Sequence, residues 1–318
     1  MPSCKRSVAS TKSVRTREQT VMMTAHQKNK YIIGLISIPS WLMFLLMIFI
    51  IMLLLYPSLH FMKLVGFYDF LFGIEWAPSD DIKTGKFGFL PILTGTAMIT
   101  IIAVLISMPI ALLISIYIDE YAPDRMRHFM QKLISVLAAV PTVVYGYAAV
   151  IFICPIVRDL FAPIKDNIYN ENALSAGIAM GLMLIPSSAA LFYDILRSVP
   201  KSIKYAGYAL GSNKEEVIYY IALSYALPSL LGVVLMGFAR GIGETMIVTM
   251  AAGLMANMTL NPLDPVSTVT AQIVNILTGD QDMEGIQTRS AYMIGLVLIM
   301  ITYCISFVTD KVISKAQN

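Results

Sequence analysis

Charged residues are scarce in this sequence. Lysine, arginine, aspartate and glutamate make up 14% of its 318 residues, whereas soluble domains carry about 25%. Hydrophobic residues account for 57%. A chain with so little charge and so much apolar surface is predicted to be an integral membrane protein, and the class of soluble enzymes is excluded.

The residue types that most often carry catalytic or metal chemistry are also few. The three cysteines and three histidines are spread along the chain, and no pair has metal-ligand spacing. The phosphate-binding pattern G-x-x-x-x-G-K-[ST] is absent, so this chain is not expected to bind ATP itself. The 21 methionines are scattered, which favours soft packing over copper binding. We therefore predict no catalytic residue, no metal site and no cofactor in this chain.

Long apolar stretches are what the sequence has in abundance. A helix needs about 20 apolar residues to cross the hydrocarbon core of a bilayer, whereas barrel strands are shorter and alternate in polarity. We therefore predict an all-α, polytopic membrane protein with six transmembrane helices. The six stretches are Ile32–Tyr56, Leu90–Ile118, Leu133–Val157, Leu174–Tyr193, Leu227–Met255 and Ala291–Val308.

The distribution of lysine and arginine predicts the orientation of these helices. Sixteen lie in the connections of one side, which include both ends of the chain, and five lie in the connections of the other side. Because cytoplasmic loops carry the excess of these residues, both termini are expected to be cytoplasmic. Residues 1–30 form a polar tail, for which membrane lipid is a better partner than nucleic acid. Residues 31–318 form the transmembrane domain.

The segment Gly237–Met250, GFARGIGETMIVTM, places two opposite charges within the fifth apolar stretch. A charge at the centre of a bilayer costs about 2.5–3.5 kcal/mol on insertion scales. Arg240 and Glu244 are four residues apart, which is one turn of a helix, so they are predicted to share a face and to pair. Either the pair is a structural clamp between helices, or Arg240 binds a passing anion while Glu244 holds it in place. In the second case, Thr245 and Thr249 could add hydroxyl groups to the substrate pathway.

The connection Asp194–Ser224 contains a pattern of two short helices around a glycine. Pro200 ends one element, a short helix is predicted over Ser202–Leu210, and Gly211 offers a C-terminal stop. A second helix is predicted over Lys214–Tyr220, leading into the next span. The pattern predicts a compact projection on the cytoplasmic face.

This connection resembles the E-A-A-x3-G-x9-I-x-L-P motif of ABC importer permeases. The spacing is intact, although Tyr205 replaces the glutamate, Gly207 the second alanine and Ser224 the proline. The resemblance implies that residues of about 194–224 form a loop that couples the permease to an ATPase subunit. The motif positions are Tyr205, Ala206, Gly207, Gly211, Ile221 and Leu223.

Four further stretches resemble the phosphate-specific ABC permeases, and particularly their PstC type of subunit. They are Glu75–Thr96, Ala138–Val150, Leu196–Gly211 and Arg240–Met250, which reads RGIGETMIVTM. The resemblance implies a type I ABC importer permease fold in the bacterial plasma membrane. It also implies that Arg240 and Glu244 lie near the path of inorganic phosphate.

The same resemblance implies a set of partners. These are a sister permease (PstA-like), a dimer of ATPase subunits (PstB-like) that binds ATP and Mg, and an extracytoplasmic phosphate-binding protein (PstS-like).

Three other interpretations of the function stay open from the sequence. One is an ABC permease for molybdate or sulfate, a second is a stand-alone channel or secondary transporter, and a third is a membrane scaffold or sensor component.

Overall fold

The computed structural model of the protein describes residues 37–79, 81, 84–163, 168–279 and 285–317. The polar segment 1–30 lies outside these residues. Among the described residues, six helices are long and apolar enough to cross a membrane. The predicted all-α architecture with six spans is therefore confirmed. The spans are Ser37–Val65, Leu90–Tyr121, Thr142–Phe161, Ala173–Ser198, Lys214–Ile242 and Ile286–Val312.

Short helices and a small hairpin connect the spans, and wide π-helical turns interrupt some of them. The elements are, in chain order, α1 (Ser37–Val65), α2 (Phe67–Phe72), β1 (Trp76–Ala77), β2 (Lys86–Phe87), α3 (Leu90–Ile116), α4 (Asp124–Ala138), α5 (Thr142–Ala148), α6 (Cys154–Phe161), α7 (Ala173–Ser198), α8 (Lys201–Ala209), α9 (Lys214–Glu216), α10 (Leu223–Ile242), α11 (Met246–Ala251), α12 (Val269–Thr278) and α13 (Ile286–Gln317). The π-helical turns are Tyr117–Tyr121, Ala149–Ile153 and Val217–Ala222.

The chain divides into two compact units, and the division falls between Leu54 and Leu55, within α1. In the first unit, the rings of Trp41 and Phe44 pack edge to face with centroids 6.0 Å apart. The second unit holds all the later elements, and α3 and α7 form its centre. A side chain at Gly177 of α7 would come within 2.6 Å of Ile102 Cγ2 in α3. The absence of a side chain there lets the two helices approach closely, as expected for small residues in membrane helices.

Three of the predicted spans have boundaries that are wrong by nine residues or more. The first was expected to end at Tyr56 and continues to Val65. The third was expected over Leu133–Val157, but α4 ends at Ala138 and the span begins at Thr142. Pro141 explains this break, because it has no N–H to donate and it disfavours helical backbone in the residue before it. The fifth span was expected over Leu227–Met255 and is found over Lys214–Ile242.

At the end of the second unit where α3 and α7 begin, the hairpin of β1 and β2 is tied to later elements. Trp76 Nε1–H donates to Gln272 Oε1 of α12 over 3.3 Å, and Gln272 Nε2 donates to the Leu254 carbonyl over 3.4 Å. The start of α7 meets the loop after α11, because Leu174 N–H donates to the Pro262 carbonyl over 2.7 Å. This end therefore holds the loop between α11 and α12, opposite the connection of α7 to α10.

Candidate functional site

The charged segment Gly237–Met250 is not one continuous helix. Helix α10 ends at Ile242, Gly243 is its C-cap, and α11 begins at Met246. Backbone bonds from Gly243 N–H to Ala239 and from Glu244 N–H to Gly241 close the last turn. Glycine in a helix costs about 1 kcal/mol relative to alanine. The glycines before and after Ile242 therefore favour an interruption here.

Glu244 stabilises the start of α11. Its side chain is buried, and its Oε1 accepts hydrogen bonds from Met246 N–H over 3.1 Å and Ile247 N–H over 3.4 Å. Its backbone carbonyl accepts a 2.7 Å hydrogen bond from Thr270 Oγ1 of α12. The first N–H groups of a helix lack intrahelical partners, and a carboxylate there is electrostatically favourable. Glu244 thus joins α10, α11 and α12 at the interruption.

Arg240 lies on the last turn of α10 with an exposed side chain. Within the described residues, no ion pair links it to Glu244 or to another carboxylate. The predicted pairing on a shared helix face is therefore wrong, because the helix ends between the two residues. The guanidinium is left directed away from the packed interior of this chain.

The two threonines differ in what their hydroxyl groups can do. Thr249 Oγ1 donates to the Met246 carbonyl over 2.9 Å within α11, so its proton is already committed. Thr245 is half-buried at the N-cap of α11. A hydroxyl carries a single proton, so Thr245 is better able to donate to an anion than Thr249.

The connection between α7 and α10 has the predicted helix–glycine–helix form, and we call residues 194–224 the docking loop, after the role that the sequence resemblance implies for it. Helix α8 ends in a left-handed corner at Gly211, with φ +88°. Ser212 N–H donates to the Gly207 carbonyl over 3.3 Å, and Gly211 N–H to the Tyr208 carbonyl over 3.0 Å. These two bonds form a Schellman motif. Asn213 and Glu216 then form a capping box at α9.

The motif positions of the docking loop lie on two sides of this corner. Gly207 is buried, and a side chain there would overlap with Ile221 Cδ1 of the π-helical turn. Leu223 begins α10 and is half-buried. Tyr205 and Ala206 are exposed on α8. The loop thus has a packed inner side at the glycine and isoleucine positions, and an outer side at Tyr205 and Ala206 that is exposed.

The sequence interpretation missed a set of charges that fixes the docking loop to α3. Lys204 Nζ donates to Asp119 Oδ2 over 3.2 Å and to Glu120 Oε1 over 2.5 Å. Burial opposes the charged form of Lys204, but the two carboxylates outweigh it, and the net result is a raised pKa. Its charge is therefore kept throughout the physiological range and is lost only in strong alkali. The sequence carries no local signal for these contacts, because Lys204 and its partners are more than 80 residues apart.

Replacing Gly211 with valine should disturb the docking loop. Nothing lies within 4 Å of a side chain added here, so conformation and not space demands the glycine. A left-handed backbone costs about 1–2 kcal/mol for residues with a side chain, and asparagine tolerates it better than valine. If this loop couples to an ATPase, as the resemblance implies, Gly211→Val should lower ATPase binding or separate ATP hydrolysis from transport, and Gly211→Asn should be milder. Co-purification of the ATPase and uptake per complex measure this, and normal values for Gly211→Val would contradict it.

Sequence relatives cover most of this chain. The family model of the binding-protein-dependent transport system inner membrane component matches residues 111–312. The phosphate transport system permease protein PstC of Xylella fastidiosa (strain Temecula1) is 30% identical over 254 residues, which are 74% of this chain and 76% of the relative. The PstC protein of Pasteurella multocida is 25% identical over 305 residues, 91% of this chain and 94% of the relative.

A solved structure supports the fold independently. The inward-facing MetNI methionine ABC transporter matches with a TM-score of 0.52 and 14% identity, over 72% of this chain and 94% of that chain. At this identity the likeness concerns the fold alone, which is that of a type I ABC importer permease. The family match includes both the docking loop and the interrupted segment at Arg240. This chain belongs to the binding-protein-dependent transport system inner membrane component family, whose members are membrane permease subunits.

Proposed function

We propose that this chain is the permease subunit of an ATP-driven importer of inorganic phosphate. The observation that carries the proposal is the similarity to PstC proteins over most of the length of both chains. The exposed outer side of the docking loop supports it, because this surface suits contact with a separate ATPase. The chain itself catalyses no reaction, and ATP and Mg are bound by the ATPase partner.

The partners follow from this function. A sister permease completes the transport path, two ATPase subunits contact the docking loops, and an extracytoplasmic binding protein delivers phosphate. When ATP closes the ATPase dimer, the docking loops move and the helix bundles rock to expose the path alternately on the two sides. This chain converts the closure of its partner into a change of access.

Arg240 is the residue that we propose for contact with the anion. An arginine presents a planar fork of donors that suits the oxygens of phosphate. Its exposed position at the interruption of α10 allows an approach from outside this chain. Glu244 acts indirectly, by holding the joint between α10 and α11 from which Arg240 projects. Thr245 is the better of the two threonines for a second donor.

We also propose that the docking loop and both termini are cytoplasmic, as the excess of lysine and arginine favours. Ser212 lies in the docking loop, and Leu260 is exposed in the loop at the opposite end. In intact cells carrying an otherwise cysteine-free protein, an impermeant thiol reagent should label Leu260→Cys and not Ser212→Cys. Labelling of Ser212→Cys alone would reverse the orientation.

Competition between oxyanions tests the substrate. The complex of both permeases and the ATPase is reconstituted into vesicles with the binding protein, and uptake of labelled phosphate is measured. Unlabelled phosphate should suppress uptake far more than equal sulfate or molybdate. Stronger suppression by one of those anions would favour the alternative oxyanion importer. Uptake by this chain without any ATPase would favour the stand-alone channel or secondary transporter.

A further inference from the structure

The docking loop is covalently attached to α7 and α10, but it also has a second attachment, to α3. This attachment is the ion cluster, which consists of the side chains Asp119, Glu120, Arg127, Lys204 and Lys214. Its members come from the end of the α3 span, from α4, from α8 and from α9. The two lysines belong to the docking loop, so both of its helices take part.

Three cations converge on one π-helical turn, Tyr117–Tyr121. Arg127 donates to the carbonyls of Ile118 and Asp119, each over 3.0 Å. Lys214 Nζ donates to the Glu120 carbonyl and lies 4.4 Å from the centroid of the Tyr121 ring. Carbonyls at the end of a helix lack intrahelical partners and carry partial negative charge. The turn is therefore well suited to hold cationic side chains.

Lys204 is the member that bridges the docking loop to the carboxylates. Its side chain is 15% exposed, and those of Asp119 and Glu120 are 13% and 16% exposed. Ion pairs that are shielded from water are screened little by salt. Removing one partner from such a cluster leaves the remaining charges uncompensated. Without the ammonium of Lys204, two neighbouring carboxylates would face α8 and repel each other.

We propose that Lys204 is a positioning residue that transmits the movement of the docking loop to α3 through Asp119 and Glu120. The inference rests on the proposed function. Energetic coupling between distant sites is carried by packed and hydrogen-bonded networks that join rigid elements. Because α3 packs chiefly against α7 and also contacts α10, a loop that holds α3 moves all three helices together. The ion cluster connects the docking loop to α3 without a covalent bond.

Replacing Lys204 with methionine tests this connection. In the reconstituted complex, Lys204→Met should leave assembly and ATP hydrolysis near the wild-type values. Phosphate uptake per ATP hydrolysed should fall by about tenfold or more, within the range of about 5- to 150-fold that is typical of allosteric coupling. Lys201→Met is the matched control, because Lys201 is an exposed lysine of the same helix, and it should keep wild-type coupling.

Charge reversal distinguishes a role of Lys204 in transmitting movement from a role in the stability of the fold alone. The double variant Lys204→Glu with Glu120→Lys restores a pair of opposite charges and should recover most of the uptake per ATP. An unchanged ratio in Lys204→Met would overturn the inference. So would a variant whose ATP hydrolysis and uptake fall together, in proportion to the amount of assembled complex, because this indicates a purely structural role.

A crosslink provides a second measurement that does not depend on the methionine variant. Cysteines replace Glu120 and Lys204 in a protein whose own cysteines are serine, and a short bifunctional thiol reagent joins them. Transport should be higher in the linked protein than in the unlinked one, since α3 and α8 move together in the cycle. Loss of transport on linking would overturn the inference. Absence of ATP-driven phosphate uptake by the wild-type complex would instead contradict the proposed function itself.

Discussion

Arg240→Gln is expected to abolish most phosphate uptake while the protein folds and assembles normally. The side chain is exposed and has no ion pair with a described residue, so its removal leaves no buried carboxylate uncompensated. Glutamine lacks the fixed charge and the fork of donors. Hydrogen bonds to charged groups contribute about 1.5–3 kcal/mol, so uptake per assembled complex should fall by at least about tenfold. Uptake of labelled phosphate, normalised to purified complex, measures the effect.

Two further arginine variants sharpen this test. Arg240→Lys keeps the charge without the planar fork, and it should recover only part of the uptake. Arg158→Gln removes another exposed arginine, in α6, and should leave uptake unchanged. Wild-type uptake in Arg240→Gln, or an equal loss in Arg158→Gln, would remove Arg240 from the transport path.

Glu244→Leu should have the largest effect on folding and assembly. Leucine cannot accept the hydrogen bonds of Met246 N–H and Ile247 N–H. Each buried donor left unsatisfied costs about 1–3 kcal/mol, which is a large part of the stability of a typical domain. Glu244→Gln keeps a carbonyl oxygen that can accept from the same N–H groups, so it should assemble almost normally. The yield of folded complex in size-exclusion chromatography distinguishes the two variants.

The double variant Arg240→Gln with Glu244→Gln separates this account from a structural clamp. Without an ion pair between the two residues, neutralising Glu244 does not compensate for the loss of Arg240, and uptake should stay low. A clamp predicts that both folding and uptake return in the double variant.

Glu171→Leu, which removes an exposed glutamate, is the control for the variant Glu244→Leu and should assemble normally.

The six spans and the corner of the docking loop could be predicted because their signals are local. A stretch of about 20 apolar residues is enough to indicate a span. A glycine between two short amphipathic segments is enough to indicate the turn at Gly211, which the structure confirms with its positive φ. The spacing of Gly211 from Ile221 also carries the resemblance to the coupling loop of ABC permeases, although Tyr205, Gly207 and Ser224 depart from the motif.

The geometry at Arg240 and Glu244 could not be predicted from spacing. Four residues correspond to one turn only if the helix continues, and here it ends at Ile242. The end depends on two glycines and on the hydroxyl of Thr270, which holds the Glu244 carbonyl from 26 residues away. The paired glycines were a usable local signal for the interruption. No local signal in the sequence indicated the contact with Thr270, because this contact depends on how α12 packs.

The contacts within the ion cluster could not be predicted from the sequence for the same reason. Lys204 contributed to the charge count that predicts orientation, but a count does not say which anion a lysine meets. Asp119 and Glu120 close the second span, and Lys204 lies in the docking loop. Their proximity follows from the packing of α3 against α7, which brings the end of one helix beside the loop that follows the other.

The most direct test of the central claim is the ATP dependence of phosphate uptake by the purified complex. Vesicles containing this chain, the sister permease and the ATPase are supplied with binding protein and labelled phosphate outside. ATP and Mg are either enclosed on the ATPase side or omitted. Accumulation of phosphate against its gradient is predicted with ATP, and none without it or with an ATPase that binds but cannot hydrolyse ATP. Equal phosphate entry in all three conditions would contradict the account.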